Sequence, residues 1–211
     1  MTIEETRKRI LQDDDFVLSE LRKIQELFKM KKVIRYHHTR EEVIDTESVA
    51  EHVYGMMVLV GYFLPLEDQK NESDFNKIQQ MALYHDIDEI ETGDTIGYMK
   101  TKDDIDNERK AQDLVVNKLP STIQNSVRKI LDEYDEQETF ESMFTKAVDK
   151  VEPVFHLFTE NGLRICKELK PTRAQHQSIK DEYTKSFPCI YRFQKVTEDK
   201  MEERGYYTDP T

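Results

Sequence analysis

Apolar residues recur at every third or fourth position along most of this chain, and that period restricts the fold more than any other feature of the sequence. It is the spacing of one face of an α-helix, whereas the strict alternation of a half-buried strand is nearly absent. Only six glycines and six prolines interrupt the 211 residues, which leaves long stretches free to run as helices. The pattern predicts an all-α fold, a compact bundle of roughly six to nine helices. No internal repeat, low-complexity tract or linker divides it, so one domain is expected over residues 1–211.

Several helices can be placed from their own signals. After the acidic cluster Asp13–Asp15, the stripe Val17, Leu21, Ile24 and Phe28 predicts a first amphipathic helix. Ser48 followed by Glu51 forms a capping box ahead of Val49, Val53, Met56, Met57 and Val60, which puts His52 in the first turns of a helix. A loop through Pro65 to Asn71 precedes the stripe Phe75, Ile78, Ala82 and His85, with His85 on the buried side and an end near Gly93. Further periodic runs cover Arg109 to Leu119, Thr122 to Tyr134 and Phe140 to Phe158, and on the last of these Thr145, Asp149, Glu152 and His156 form a polar stripe. Charged tail helices, near Arg173 to Phe187 and Pro188 to Glu203, are expected to cover the bundle or a partner subunit, and their exposed apolar positions would suit a homodimer. Met56, Met57, Met81 and Met143 have the spacing of core residues, and His176 reads as a surface histidine.

Charge and composition exclude several function classes. With 43 acidic and 31 basic side chains the net charge is −12, which repels a nucleic-acid polymer while leaving room for a small phosphorylated substrate in a pocket holding a local cation. The longest apolar run, Val53 to Leu64, is broken by Tyr54, Gly55, Gly61 and Tyr62 and is too short to span a bilayer. The first residues lack the apolar stretch of a secretory signal, so a cytoplasmic protein is expected. Cys166 and Cys189 stand in separate segments without metal-binding spacing and read as packing residues.

The fragment MALYHDIDEIETGD concentrates the chemistry. It sets His85, Asp86, Asp88, Glu89 and Asp94 within about three turns of one another near a helix end. A histidine followed by an aspartate offers adjacent nitrogen and oxygen ligands, a donor set that suits Mn, Co, Ni, Fe or Zn better than Mg. Among other histidines and aspartates that emerge from helices at the edge of the core, His52 and Asp149 qualify as further ligands. Asp149 has a second reading, as the partner of Lys146 or Lys150 in a helix ion pair. His37, His38 and His156 fit either a pocket lining or a structural role.

In these pieces the chain resembles the HD-domain phosphohydrolases, and within them the 5′-deoxynucleotidase group. The resemblance is carried by Arg35 in VIRYHHTR, ESVAEH ending at His52, ALYHDIDEIETGD, Glu108, and KAVDKVEPVFH with Asp149 and Glu152, in family order from about residue 15 to residue 160. It implies one divalent metal ion held by His52, His85, Asp86 and Asp149, with Arg35 facing the substrate phosphate. It further implies that Glu89 orients or deprotonates the attacking water and that Asp94 assists the leaving sugar oxygen. The expected reaction is removal of the 5′-phosphate of a nucleoside monophosphate, most of all a deoxynucleotide. Hydrolysis of a nucleoside triphosphate or another phosphate ester, and nucleotide binding without turnover, are the alternatives. Ile87 and Asp88, and Tyr36-His37-His38, depart from the family pattern at the pocket wall without removing a metal ligand.

Overall fold

A computed structural model of the chain describes residues 2–28, 47–95, 97–119 and 121–208. The described residues contain twelve α-helices and no strand. They run α1 Ile3–Gln12, α2 Asp14–Phe28, α3 Val49–Glu67, α4 Phe75–Tyr84, α5 Glu89–Thr92, α6 Lys102–Lys118, α7 Ser121–Glu136, α8 Phe140–Leu157, α9 Glu160–Leu169, α10 Arg173–Ser178, α11 Asp181–Thr184 and α12 Pro188–Glu203. The count exceeds the expected six to nine because α5, α10 and α11 are one or two turns long; the other nine have ten residues or more.

The chain forms two compact units. The first joins Met1–Asn71 to Ala147–Thr211, the second is the continuous stretch Glu72–Lys146, and one of the two boundaries falls inside α8.

In the first unit α3 packs against α1, α2 and α12, and α1 and α2 both pack against α12. Its core centres on Phe63 of α3, Phe155 of α8 and Phe193 of α12, all fully buried. Phe63 meets Phe155 and Phe193 edge-on at centroid distances of 6.1 and 5.1 Å, and Phe155 stacks on Phe193 at 5.6 Å. Such pairs add about 0.5–1.5 kcal/mol each beyond area burial, so the three rings fix how α3, α8 and α12 are rotated about their axes. Glu67, at the end of α3, accepts backbone N–H bonds from Cys189 and Ile190 at 2.7 and 3.1 Å. It thereby caps α12, whose own N-cap residue Phe187 supplies no side-chain bond.

The helix α3 runs on through Pro65 to Glu67, about a turn into the expected loop. By length and composition alone it could cross a membrane. Along it Met56, Leu59, Val60, Phe63 and Leu66 are buried within the first unit.

The second unit packs α4 on α7, α6 on α7 and α5 on α6. Met81 buries with Ile130 and Tyr134, and Val116 with Val127 and Leu131. Asp74 caps α4 by accepting from Asn76 and Lys77, and Glu141 accepts the Asp74 N–H at 2.8 Å.

Three expectations need correction. Met143 is 37% exposed, so it is not core filler, and Phe75 at the start of α4 is also largely exposed. His176 is buried rather than on the surface, with its ring edge-on to Tyr207 at 5.2 Å. The tail segment from Arg173 breaks into α10 and α11 because Lys180 reaches back to donate to the His176 carbonyl at 3.3 Å, closing the first helix. The stripe positions Ile24 and Phe28 lie outside the side chains described.

Candidate metal centre

The capping box expected at Ser48 is present, since Ser48 Oγ accepts from Glu51 N at 3.2 Å and Glu51 accepts from Ser48 N at 2.7 Å. It starts α3 three residues ahead of His52. His52, Met56, Leu59 and Phe63 then follow at i, i+4, i+7 and i+11, so the imidazole continues the buried stripe of its helix. On α8, Asp149, Glu152 and His156 share a face beside the buried Val148, Val151 and Phe155.

These residues meet within the first unit. His52 Nε2 stands 3.4 Å from Asp149 Oδ1, and His52 Nδ1 stands 2.9 Å from Glu152 Oε2. Glu47 brings one carboxylate oxygen to 3.8 Å from His52 Nδ1 and the other to 3.3 Å from His156 Nδ1. Glu152 is 0% exposed and Asp149 8%. Burial opposes a charge on His52, but hydrogen bonds to the Asp149 and Glu152 carboxylates outweigh it and hold the imidazole pKa well above its ordinary value. Asp149 also receives Lys150 Nζ at 2.9 Å, so the helix ion pair weighed from sequence exists, alongside the histidine contact rather than instead of it.

In the second unit His85 follows the last residue of α4 and is buried, its ring edge-on to Tyr134 at 5.6 Å. Nδ1 donates to the Ala82 carbonyl at 3.1 Å, and Nε2 faces Asp86 Oδ2 at 3.0 Å. A turn then leads to Glu89 and the short helix α5, which stops at Gly93. Gly93 adopts φ 70° and ψ 163°, a conformation open essentially to glycine alone, and Asp94 follows it exposed to solvent. Burial, then the negative charges of Asp86, Asp94 and Asp88, push the Glu89 carboxyl up to about 8. Asp88, one of the departures from the family pattern, is 9% exposed, and burial lifts it to about 6. Lys100 pairs with Glu108 at 2.7 Å, and its positive charge partly offsets the upward shift of both carboxyls.

The donors fit a divalent transition metal. Two ligands about 2.1 Å from an ion stand roughly 3.0 Å apart at a right angle and roughly 3.4 Å apart at a tetrahedral angle. Those are the separations found for His85 Nε2 to Asp86 and for His52 Nε2 to Asp149. In each unit the histidine uses Nδ1 on an acceptor and presents Nε2 to a carboxylate, which is the orientation a ligating imidazole needs. The trio Glu47, His52 and Glu152 places donor atoms within 4.8 Å of one another. His52 and Asp149 are thus brought together in the first unit, and His85, Asp86, Glu89 and Asp94 lie along one turn-rich segment of the second. Arg35, with Tyr36, His37 and His38, lies outside the described residues. Sequence reasoning gave no role to Glu47 or Glu152. Their signal was present in ESVAEH and DKVE, but only folding shows that both carboxylates point at one imidazole.

The chain is 29% identical over 153 residues to the 5′-deoxynucleotidase HDDC2 of Xenopus laevis, an alignment covering 70% of each chain. It is 27% identical to the 5′-deoxynucleotidase HDDC2 of Homo sapiens over 70% of this chain and 69% of the human one. A solved structure described as a predicted metal-dependent phosphohydrolase from Magnetospirillum magnetotacticum superposes with a TM-score of 0.66. It is 22% identical, covers 92% of this chain and 97% of its own, and shares the fold. The HD domain family model matches residues 27–190, running through both units. The chain belongs to the HD domain family.

Proposed function

We propose that this protein removes the 5′-phosphate of nucleoside monophosphates, deoxynucleotides foremost, as a cytoplasmic enzyme using one divalent metal held by His52, His85, Asp86 and Asp149. The observation that carries this reading is the matched pair of imidazole and carboxylate donors, His52 with Asp149 and His85 with Asp86, at the separations of neighbouring metal ligands. Relatives that match 70% of this chain at 27–29% identity are named 5′-deoxynucleotidases, which supports the substrate class.

When bound, the metal supplies Lewis acidity that polarises the phosphate and makes water acidic enough to attack near neutral pH. The chain's own residues supply the rest. Arg35 neutralises the equatorial phosphate oxygens with its planar fork of donors. Glu89, half-buried among carboxylates, accepts or orients the proton of the attacking water. Asp94, held just past the turn that Gly93 makes possible, meets the departing sugar oxygen from the solvent side.

The test is phosphate release from a panel of ribo- and deoxyribonucleoside mono- and triphosphates. Chelated protein is reloaded separately with Mn, Co, Mg and Zn. Release from monophosphates, strongest with the deoxy forms and lost in Asp86→Ala, is the expected outcome. Triphosphate or pyrophosphate as the product would move the activity to nucleoside triphosphates. Nucleotide binding without any release over hours would make the protein a binder.

A further inference from the structure

We propose that Glu152 is a positioning residue that fixes the tautomer and ring orientation of His52, so that Nε2 and not Nδ1 is the nitrogen offered to the metal. The inference rests on His52 being a ligand, as argued above, and adds what makes it one. The two histidines face the same problem at opposite ends of a helix. His85 stands at a C-terminus, where backbone carbonyls lack a full set of intrahelical partners, and the Ala82 carbonyl takes its Nδ1 proton at 3.1 Å. His52 stands in the first turns of α3, where the carbonyl three residues back, that of Val49, faces a following helical N–H rather than a helix end. The acceptor that faces its Nδ1 comes from a segment one hundred residues on, Glu152 Oε2 at 2.9 Å.

Two observations separate Glu152 from its neighbour Glu47. Glu47 is beyond hydrogen-bond distance of His52 at 3.8 Å, and its other oxygen is directed to His156 Nδ1 at 3.3 Å. Glu152 is wholly buried, and a carboxylate in that position costs several kcal/mol in desolvation unless a charged or strongly donating partner compensates it. An apolar residue would fill the space on α8 without that cost. The carboxylate adds something packing does not: a full negative charge on Nδ1–H that makes the opposite nitrogen a better ligand.

The test compares Glu152→Ala, Glu152→Gln and His52→Ala with the parent protein. Folding is checked by circular dichroism and thermal melting. Chelated protein is titrated with Co(II), reading affinity by calorimetry and coordination by visible absorption; the zinc-loaded form is examined by 15N–1H histidine correlation. The parent is expected to take one Co(II) per chain and to show His52 protonated at Nδ1. Glu152→Ala should bind Co(II) about 10–100-fold more weakly with altered visible bands. Glu152→Gln, whose amide oxygen still accepts the Nδ1 proton without the charge, should keep the tautomer and recover part of the affinity. Unchanged affinity, bands and tautomer in both Glu152 variants, with binding lost in His52→Ala, would overturn the positioning role alone. A second Co(II) in the parent that Glu152→Ala abolishes would overturn it too, by making Glu152 a ligand. Full Co(II) affinity in His52→Ala would remove the ligand reading and this proposal together. If Glu152→Ala does not fold, the Gln variant and the parent's tautomer decide the question.

Discussion

A buried histidine that carries no charge is a stability switch, and His176 is one. Burial first, then the Lys180 ammonium, press its pKa down to about 3. The unfolded chain takes up a proton near the ordinary histidine value of about 6.5, while the folded chain does not until about pH 3. The unfolded state therefore binds more protons in that window, and stability falls as pH drops through it, by about 1.4 kcal/mol per pH unit at most. Urea unfolding at pH 7 and pH 5 should show the loss, and His176→Phe should flatten its slope; an unchanged slope would assign the acid sensitivity to other groups. His176 also shows where reading a sequence stops. A lone histidine in a charged segment looks like a surface residue, and only the packing against Tyr207 reveals otherwise. The reverse holds for His52, His85 and Asp86. Their helix signals and adjacency were legible, whereas the acceptors that aim the two rings, Glu152 and the Ala82 carbonyl, are set by tertiary contact and by a helix end.

At the scale of elements, α12 begins without a cap of its own and borrows one from α3. Glu67→Ala should cost about 0.5–2 kcal/mol, the usual worth of an N-cap, with Glu67→Gln costing less because its amide oxygen can still accept. Chemical denaturation of the two variants checks this, and equal stability to the parent would make the contact incidental. The helices with wide apolar stripes or strong boundary signals were readable to within a turn: α7, α8 and α12 begin and end close to where periodicity put them. The missed ones are short or weakly apolar. The helix α1 buries only Ile10, although its capping box at Thr2 and Glu5 stood in the sequence. The helix α9 depends on a tight reversal in which a Cβ on Gly162 would come within 1.9 Å of the Leu157 carbonyl oxygen, a constraint with no periodic signature. The start of α6 at Lys102 was likewise hidden, because its capping residues Thr101 and Asp104 precede a turn with few apolar positions.

For the whole molecule, the net charge of −12 sets a long-range field that opposes any anionic substrate. Screening that field should help: raising salt from about 20 to 150 mM, where the Debye length shrinks toward 8 Å, should lower KM for a nucleoside monophosphate while leaving kcat in place. A KM that rises with salt would mean that Arg35 and the metal dominate the field at the entrance. The division of the chain has a consequence for its synthesis. The unit Glu72–Lys146 is continuous and leaves the ribosome in one piece, but the other unit begins with Met1–Asn71 and is completed only by Ala147–Thr211. At about 5–20 residues per second, the end of α3 waits roughly 4–18 seconds for Phe155 and roughly 6–25 seconds for Phe193 to be made. During that interval Phe63 has no Phe155 or Phe193 to pack against, and His52 has neither Asp149 nor Glu152. His85 and Asp86, adjacent in sequence, need no such wait, so in the newborn chain their pairing can form early while the partners of His52 depend on the last third of the sequence.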